Sequence, residues 1–280
     1  GGLLADGTKV PPVRDGRPVA IGVGRQVVLE RLRQGLDVWF DHEVIGLLRS
    51  GDRVAGVRVR GAEGEREVPA DIVVGADGTQ SGVRDLAGID AVLTLSDTAF
   101  VGFRSPVRGP EPFLIHFTGD GRQLTLLDWP GGSAGGWQID RPEGGAEVAL
   151  APGVEAFKRA YLRLMPAAAD AIAPVEELRY REVTEVSCET WWRPGVVLIG
   201  EALHAMNPEA GIGSGLGMAD AHALAIAIAQ NADDADRALA EYERWRRPAV
   251  APYLAVGSQG VRPLERREPS PEERWPPEEP

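Results

Sequence analysis

The chain has 280 residues, and 42 acidic residues against 30 basic ones give it a formal net charge of −12. That field disfavours duplex nucleic acid held by bulk electrostatics. A content of 43% hydrophobic and 26% charged residues excludes disordered, collagen-like and coiled-coil chains and leaves room for one large or two ordinary globular domains.

In chain order, residues 22–36 place Val27, Val28, Leu29, Leu32 and Leu36 at helical spacing behind Arg25, which predicts a helix with an apolar stripe. Alternating runs at 37–40, 43–49, 53–60 and 67–70, two of them joined by Ser50-Gly51-Asp52, predict a small antiparallel meander. Ile72-Val73-Val74, ending in Gly75, reads as a central strand buried on both faces. Residues 91–151 turn to short β-like runs rich in aromatics and separated by Gly/Pro clusters, an inserted antiparallel sheet.

A helix is expected over 154–165, closed by Pro166, then a strand over 182–190. Val196-Val197-Leu198-Ile199-Gly200 repeats the buried-strand pattern. The helix expected over 216–230 reads as too apolar for a surface. A polar helix over 234–246 follows, with Asp233 as its cap. Residues 262–280 hold six Pro and six Glu, with Leu264 and Trp275 as the large apolar groups, and are expected to be a disordered tail. The longest aliphatic run, 223–229, is too short to span a bilayer, so no membrane span is expected. The single Cys188 reads as a buried thiol in a reducing compartment, and the expected location is the cytoplasm. No metal-ligand cluster is expected.

Two segments carry chemistry, because each sets glycines and a polar residue directly after a buried strand, where α/β sheets bind ligands. The first is Gly75-Ala76-Asp77-Gly78-Thr79-Gln80-Ser81-Gly82-Val83-Arg84. Its glycines allow close backbone approach, and Asp77 can either accept from a sugar hydroxyl or cap the next helix. The second runs from Gly200-Glu201 through His204 and Pro208 to Gly211, Gly213, Gly215, Gly217 and Asp220. Four glycines at alternate positions describe a loop packed against something flat or charged, with a helix N-terminus aimed at it.

These two segments resemble the GADGxxSxVR and GDAAHxxxPxxGxGxNxGxxDA elements of the FAD-dependent aromatic hydroxylases of the p-hydroxybenzoate hydroxylase type. The likeness extends from the helix headed by Arg25 to 242–248, roughly residues 10–255. It implies a mixed α/β fold in which 1–90 and 152–260 form the FAD-binding parallel-sheet domain and 91–151 the substrate sheet. It implies that Asp77, Gly78, Ser81 and Arg84 lie by the pyrophosphate and ribitol of FAD and that Arg25 contacts its flavin side. Gly200 and Glu201 would hold the ribityl chain, Pro208 would line the space above the ring, and Gly211, Gly213, Ser214, Gly215 and Gly217 would face its pyrimidine end.

The implied reaction is monooxygenation of an aromatic or polyketide-like small molecule by NADH or NADPH and dioxygen through a flavin hydroperoxide. No protein nucleophile is expected, and His204 and His222 are expected to be structural. Phe103, His116, Phe117, Trp129 and Trp137 are the candidates for lining the substrate pocket, set against a packing role for strand aromatics. Three departures stand out: Glu201 where the pattern has Asp, Ser214-Gly215 where it has a pair with Asn, and the lack of the leading GxGxxG unit. The chain therefore reads as the family without its first segment, lost to truncation or a misplaced start or supplied by a separate polypeptide, and is expected to bind FAD poorly on its own. The alternative is a noncatalytic remnant or small-molecule binding protein that holds FAD poorly alone.

Overall fold

The computed structural model describes residues 25–129, 131–208, 211–257 and 268–277, together with strand segments at 2–3, 9–10, 13–14 and 17–18. In chain order the elements begin with β1 (Gly2–Leu3), β2 (Lys9–Val10), β3 (Val13–Arg14), β4 (Arg17–Pro18) and α1 (Arg25–Leu32). They continue with β5 (Glu43–Ser50), β6 (Arg53–Gly61), β7 (Gly64–Pro69), β8 (Val73–Gly75) and α2 (Gly82–Leu86). Then come β9 (Ala91–Ser105), β10 (Phe113–Phe117), β11 (Gln123–Trp129), β12 (Gly132–Asp140), α3 (Ala146–Leu150), α4 (Gly153–Leu164) and α5 (Ala169–Ile172). The last are β13 (Arg179–Cys188), β14 (Trp192–Arg193), β15 (Val196–Leu198), α6 (Glu201–His204), α7 (Gly213–Gln230) and α8 (Ala235–Gly257).

The chain forms two compact units, a sheet unit of residues 1–36, 96–183 and 262–280 and a loop unit of residues 37–95 and 184–261. In the loop unit β5, β6 and β7 make a three-stranded meander, without the run expected at 37–40, which forms no strand, and β14, β15 and β8 make a second three-stranded sheet. β15 and β8 run parallel, with Val73 opposite Val196 and Gly75 opposite Leu198. Their apolar side chains join Val83, Ile89, Leu203, Leu216, Leu224, Leu239 and Tyr242 in one core.

Three expectations need correction here. Val74 is 40% exposed, because successive side chains of a strand point to opposite faces, and β8 turns Val73 inward and Val74 outward. In α7 only Leu216, Asp220, Leu224 and Ala227 are buried, one stripe of the helix, while Met218 is 53% exposed. α8 starts at Ala235 and is capped by Asp234, whose Oδ1 accepts the Arg237 amide at 3.0 Å.

The sheet unit holds a seven-stranded sheet in the order β13-β9-β12-β11-β10-β1-β2. β9, β12, β11 and β10 are antiparallel neighbours, the pairing expected from their alternating runs. Phe103, Leu124, Leu126, Trp137 and Ile139 from these strands pack with Phe157, Tyr161, Ala168 and Ile172 from the helical segment. That contact moves α4 and α5 into the unit of the sheet, whereas the sequence order had put residues from 152 onward with the loop unit. None of the residues of α1 is buried, so its expected apolar stripe meets no core among the described residues. Residues 268–277 are not disordered: they form a 3₁₀ turn over Pro271–Glu273 and bury Trp275 in the aromatic cluster. Residues 262–267 and 278–280 lie outside the described set.

Candidate functional site

Because β8 and β15 are parallel neighbours, the loops after Gly75 and Leu198 leave from the same edge of the sheet, the place where open α/β sheets bind ligands. Gly75 is required for that closeness: a Cβ there would stand 2.6 Å from Leu198 Cδ2 and 3.0 Å from Val83 Cγ1.

The loop after β8 is tied to itself. Asp77 accepts from the Ser81 hydroxyl through Oδ1 and from the Val83 amide, at 3.0 Å, through Oδ2. Ser81 caps α2, its oxygen accepting the Arg84 amide at 3.0 Å. Asp77 therefore has the helix-capping role that its residue type allows.

Arg84 links this loop to the second one. Its guanidinium is 3% exposed and donates to the Ala202 carbonyl at 3.0 Å and the Thr79 carbonyl at 3.1 Å. Two carbonyl partners distant in sequence are a use to which the planar fork of an arginine is suited.

The second loop is held from behind by Asp220. This side chain is fully buried, and its Oδ2 accepts from the Gly200 amide at 3.1 Å and from His204 Nε2 at 2.6 Å. Its Oδ1 accepts from Arg246 Nε at 2.8 Å. Burial acts to raise the Asp220 pKa, yet the hydrogen bond and charge of His204, with the bonds from Arg246 and Gly200, outweigh it and hold the carboxyl below its ordinary value. An ionised carboxylate only accepts, so Nε2 of His204 carries the proton. His204 also packs at 5.9 Å from the ring of Trp191, and both are buried. The geometry makes His204 a structural partner of Asp220, while His222 is exposed on α7.

The front of the second loop is open. α7 begins at Gly213 with no side-chain cap and no acidic residue in its first turn. A Cβ built on Gly78, Gly211, Gly213 or Gly215 would meet no protein atom within 4 Å, whereas Gly200 and Gly217 pack backbone to backbone. Glu201, Pro208, Gly211, Ser214 and Gly215 are exposed on this side. A half-positive helix end and an absence of side chains suit a flat or anionic ligand. Beside this loop, a cavity of about 310 Å³ is lined by Ala205 and Met206 with Val92, Thr94, Glu185, Val186, Ser187 and Leu254.

Other expected site residues fall elsewhere. Arg25 is exposed at the head of α1, in the sheet unit, while the two glycine loops belong to the loop unit. Phe103 and Trp137 are core residues, packed against Phe157 and Tyr161 and against Phe157 and Trp275 respectively, and Trp137 also lines a cavity of about 450 Å³ in the sheet unit. His116 and Phe117 are half-buried on β10, and the side chain of Trp129 lies outside the described residues. Asp220 closes the second motif in the sequence without a role of its own there, and Arg246 is not among the expected site residues, although a lone carboxylate inside an otherwise apolar helix is a visible sign of a buried polar partner.

Parallel strands whose loops end in an open, glycine-lined helix N-terminus define a nucleotide-cofactor-binding α/β protein. The comparisons make this specific: residues 23–255 match the FAD binding domain family, and the chain belongs to it. It is 31% identical over 216 residues to protoasukamycin 4-monooxygenase of Streptomyces nodosus subsp. asukaensis, covering 74% of this chain and 51% of that protein. It is 30% identical over 188 residues to digeranylgeranylglycerophospholipid reductase 1 of Methanopyrus kandleri (61% of this chain, 46% of that protein). Among solved structures, p-nitrophenol 4-monooxygenase PnpA from Pseudomonas putida DLL-E4 shares the fold, with a TM-score of 0.68 at 21% identity, covering 84% of this chain and 60% of that one. The chain thus spans about half the length of the curated relatives it matches. No helix among the described residues is long and apolar enough to cross a membrane.

Proposed function

We propose that this chain forms the FAD-holding and substrate-facing part of a flavin-dependent monooxygenase that uses NADH or NADPH and dioxygen to hydroxylate or epoxidise an aromatic or polyketide-like small molecule. The observation that carries the reading is the open front of the second loop, an uncapped 18-residue helix behind glycines whose Cβ positions are free of protein.

The residues fit the cofactor. The α7 amides from Gly213 to Gly215 can donate to carbonyl or anionic groups of its pyrimidine edge, and Gly78 and Gly211 leave room for its chain. Bound FAD would take up reducing equivalents from the nicotinamide and activate dioxygen. The protein's part is orientation. Asp220 fixes the Gly200 turn against α7, Arg84 fixes that turn to the first loop, and the preorganised amides of α7 stabilise negative charge without rearranging. Glu201, exposed next to the turn, is the acid that would hold a ribityl hydroxyl. The cavity beside Met206 lies at the lower end of the size range of small-molecule pockets and supports a compact, mostly apolar substrate. The expected setting is the cytoplasm, where nicotinamide reductants are at hand.

Titrating the chain with FAD tests the reading. Weak but saturable quenching of flavin fluorescence is expected, and Gly213→Val should abolish it with an unchanged far-UV circular dichroism spectrum, because only the ligand occupies the space the side chain enters. Equal flavin uptake by the variant sinks the placement, and no uptake by the parent chain sinks the cofactor reading. The archaeal reductase relative supports a second reading, substrate reduction in place of oxygenation. Dioxygen consumption that tracks substrate-dependent NADH or NADPH oxidation separates the two.

A further inference from the structure

The cavity of about 310 Å³ beside the second loop has two unlike walls. One is made by the ends of β9 and β13 that belong to the loop unit, two strands that are neighbours in the sheet order. Successive residues of a strand face opposite ways, so Val92 with Thr94, and Glu185 with Ser187, each present one face of their strand to the space. Val186 between them is turned into the core, and its amide donates to the Ala205 carbonyl at 3.0 Å, which holds this wall to the second loop. The other wall is apolar, with Met206 after α6 and Leu254 on α8.

The polar side chains of the lining, Thr94, Glu185 and Ser187, all sit on the strand wall, and none of the described lining residues is Lys, Arg or His. Glu185 already has an interaction partner within the protein, yet a carboxylate offers about four acceptor positions on its two oxygens. The hydroxyls of Thr94 and Ser187 accept as well as donate. A ligand in this space meets acceptors along one edge and apolar surface along the other. A hydroxyl or amine on an aromatic body satisfies both walls. A carboxylate on the same body would lose water beside another carboxylate, with no cation among the described lining residues to pair it, and that is costly.

We infer that this cavity selects its ligand by a hydrogen-bond donor: it takes uncharged aromatic molecules that carry a hydroxyl or amine group, it rejects aromatic carboxylates, and Glu185 is the residue that sets the preference. That the ligand is the molecule to be oxygenated rests on the function proposed above, whereas the preference itself rests on the two walls alone.

The test uses the full chain and two probes with the same ring system, naphthol and naphthoate, titrated at neutral pH without FAD and followed by their own fluorescence. Naphthol should bind saturably and at least tenfold more tightly than naphthoate. Glu185→Gln keeps the size of the side chain and removes its charge, so it should narrow that gap to less than threefold, chiefly by tightening naphthoate. Val92→Trp adds a ring to the strand wall from a position that is 66% exposed, outside the core, and should weaken naphthol at least tenfold. Equal binding of the two probes to the parent chain, binding of neither, an unchanged gap in Glu185→Gln, or naphthol binding that ignores Val92→Trp each overturns the inference. Failed flavin quenching beside an intact naphthol preference overturns the cofactor reading alone, and flavin uptake without the preference overturns this inference alone.

Discussion

The loop after β8 and the loop after β15 start side by side from parallel strands, yet they use their polar groups in opposite ways. In the first, Asp77 and Ser81 satisfy the amides of Val83 and Arg84, so the start of α2 is closed by its own sequence. In the second, no side chain caps α7, and the buried carboxylate of Asp220 faces backward to the Gly200 amide, His204 and Arg246. Two glycine-rich loops of similar appearance thus divide into a structural turn and an open face. The difference between them is not the number of glycines but where the nearest acceptor side chain points.

The largest test of this contrast is Asp220→Ala. Removing one partner of a buried ionic cluster leaves Arg246 and His204 uncompensated and should cost about 3–5 kcal/mol in urea unfolding. The pH dependence has a definite sign. The folded pKa of Asp220 is depressed, so its contribution is complete above the unfolded value of about 3.9 and is lost as pH falls through the lower folded value. The parent chain should therefore lose stability on acidification more steeply than Asp220→Ala. Parallel acid-unfolding curves would show that the back of the second loop is not held by this carboxylate.

Next in size is Gly75→Ala, where the added Cβ collides with Leu198 and Val83 at the point from which both loops depart. Overpacking of this kind should cost about 1–3 kcal/mol, seen as a lower midpoint in chemical denaturation. Ser81→Ala removes the cap of α2 and should cost about 1 kcal/mol. A Ser81→Ala chain as stable as the parent would mean that the first loop is not closed by its own side chains.

Much of this arrangement was legible in the residues. The two loops, their parallel strands, the β5–β7 meander and the β9–β12 sheet follow from local periodicity and from Gly/Pro punctuation. What was not legible depends on partners far away in the chain. Phe103 and Trp137 alternate as pocket or core residues would, and only the packing of α4 against them decides for the core. The order of 268–277 depends on the rings of Trp137 and Phe157, 138 and 118 residues upstream of Trp275, which the composition of a Pro- and Glu-rich tail does not reveal. The exposure of Met218 shows the limit from the other side: mean apolarity of a helix says little about which of its faces is covered when most of its residues are small.

The smallest expected effect discriminates best between a closed and an open loop. Gly213 starts α7, and a Cβ there meets nothing within 4 Å, so Gly213→Ala has no clash to relieve and gains helix propensity. The propensity gain in a helix interior is about 1 kcal/mol, and at a first helical position it should be smaller, leaving the variant as stable as the parent or slightly more so in a thermal melt. At Gly75 the same methyl group should destabilise, although both glycines belong to loop motifs of the same appearance. If Gly213→Ala also destabilised the chain by more than about 1 kcal/mol, the front of α7 would be filled by the protein itself, and the space assigned to the ligand would not exist.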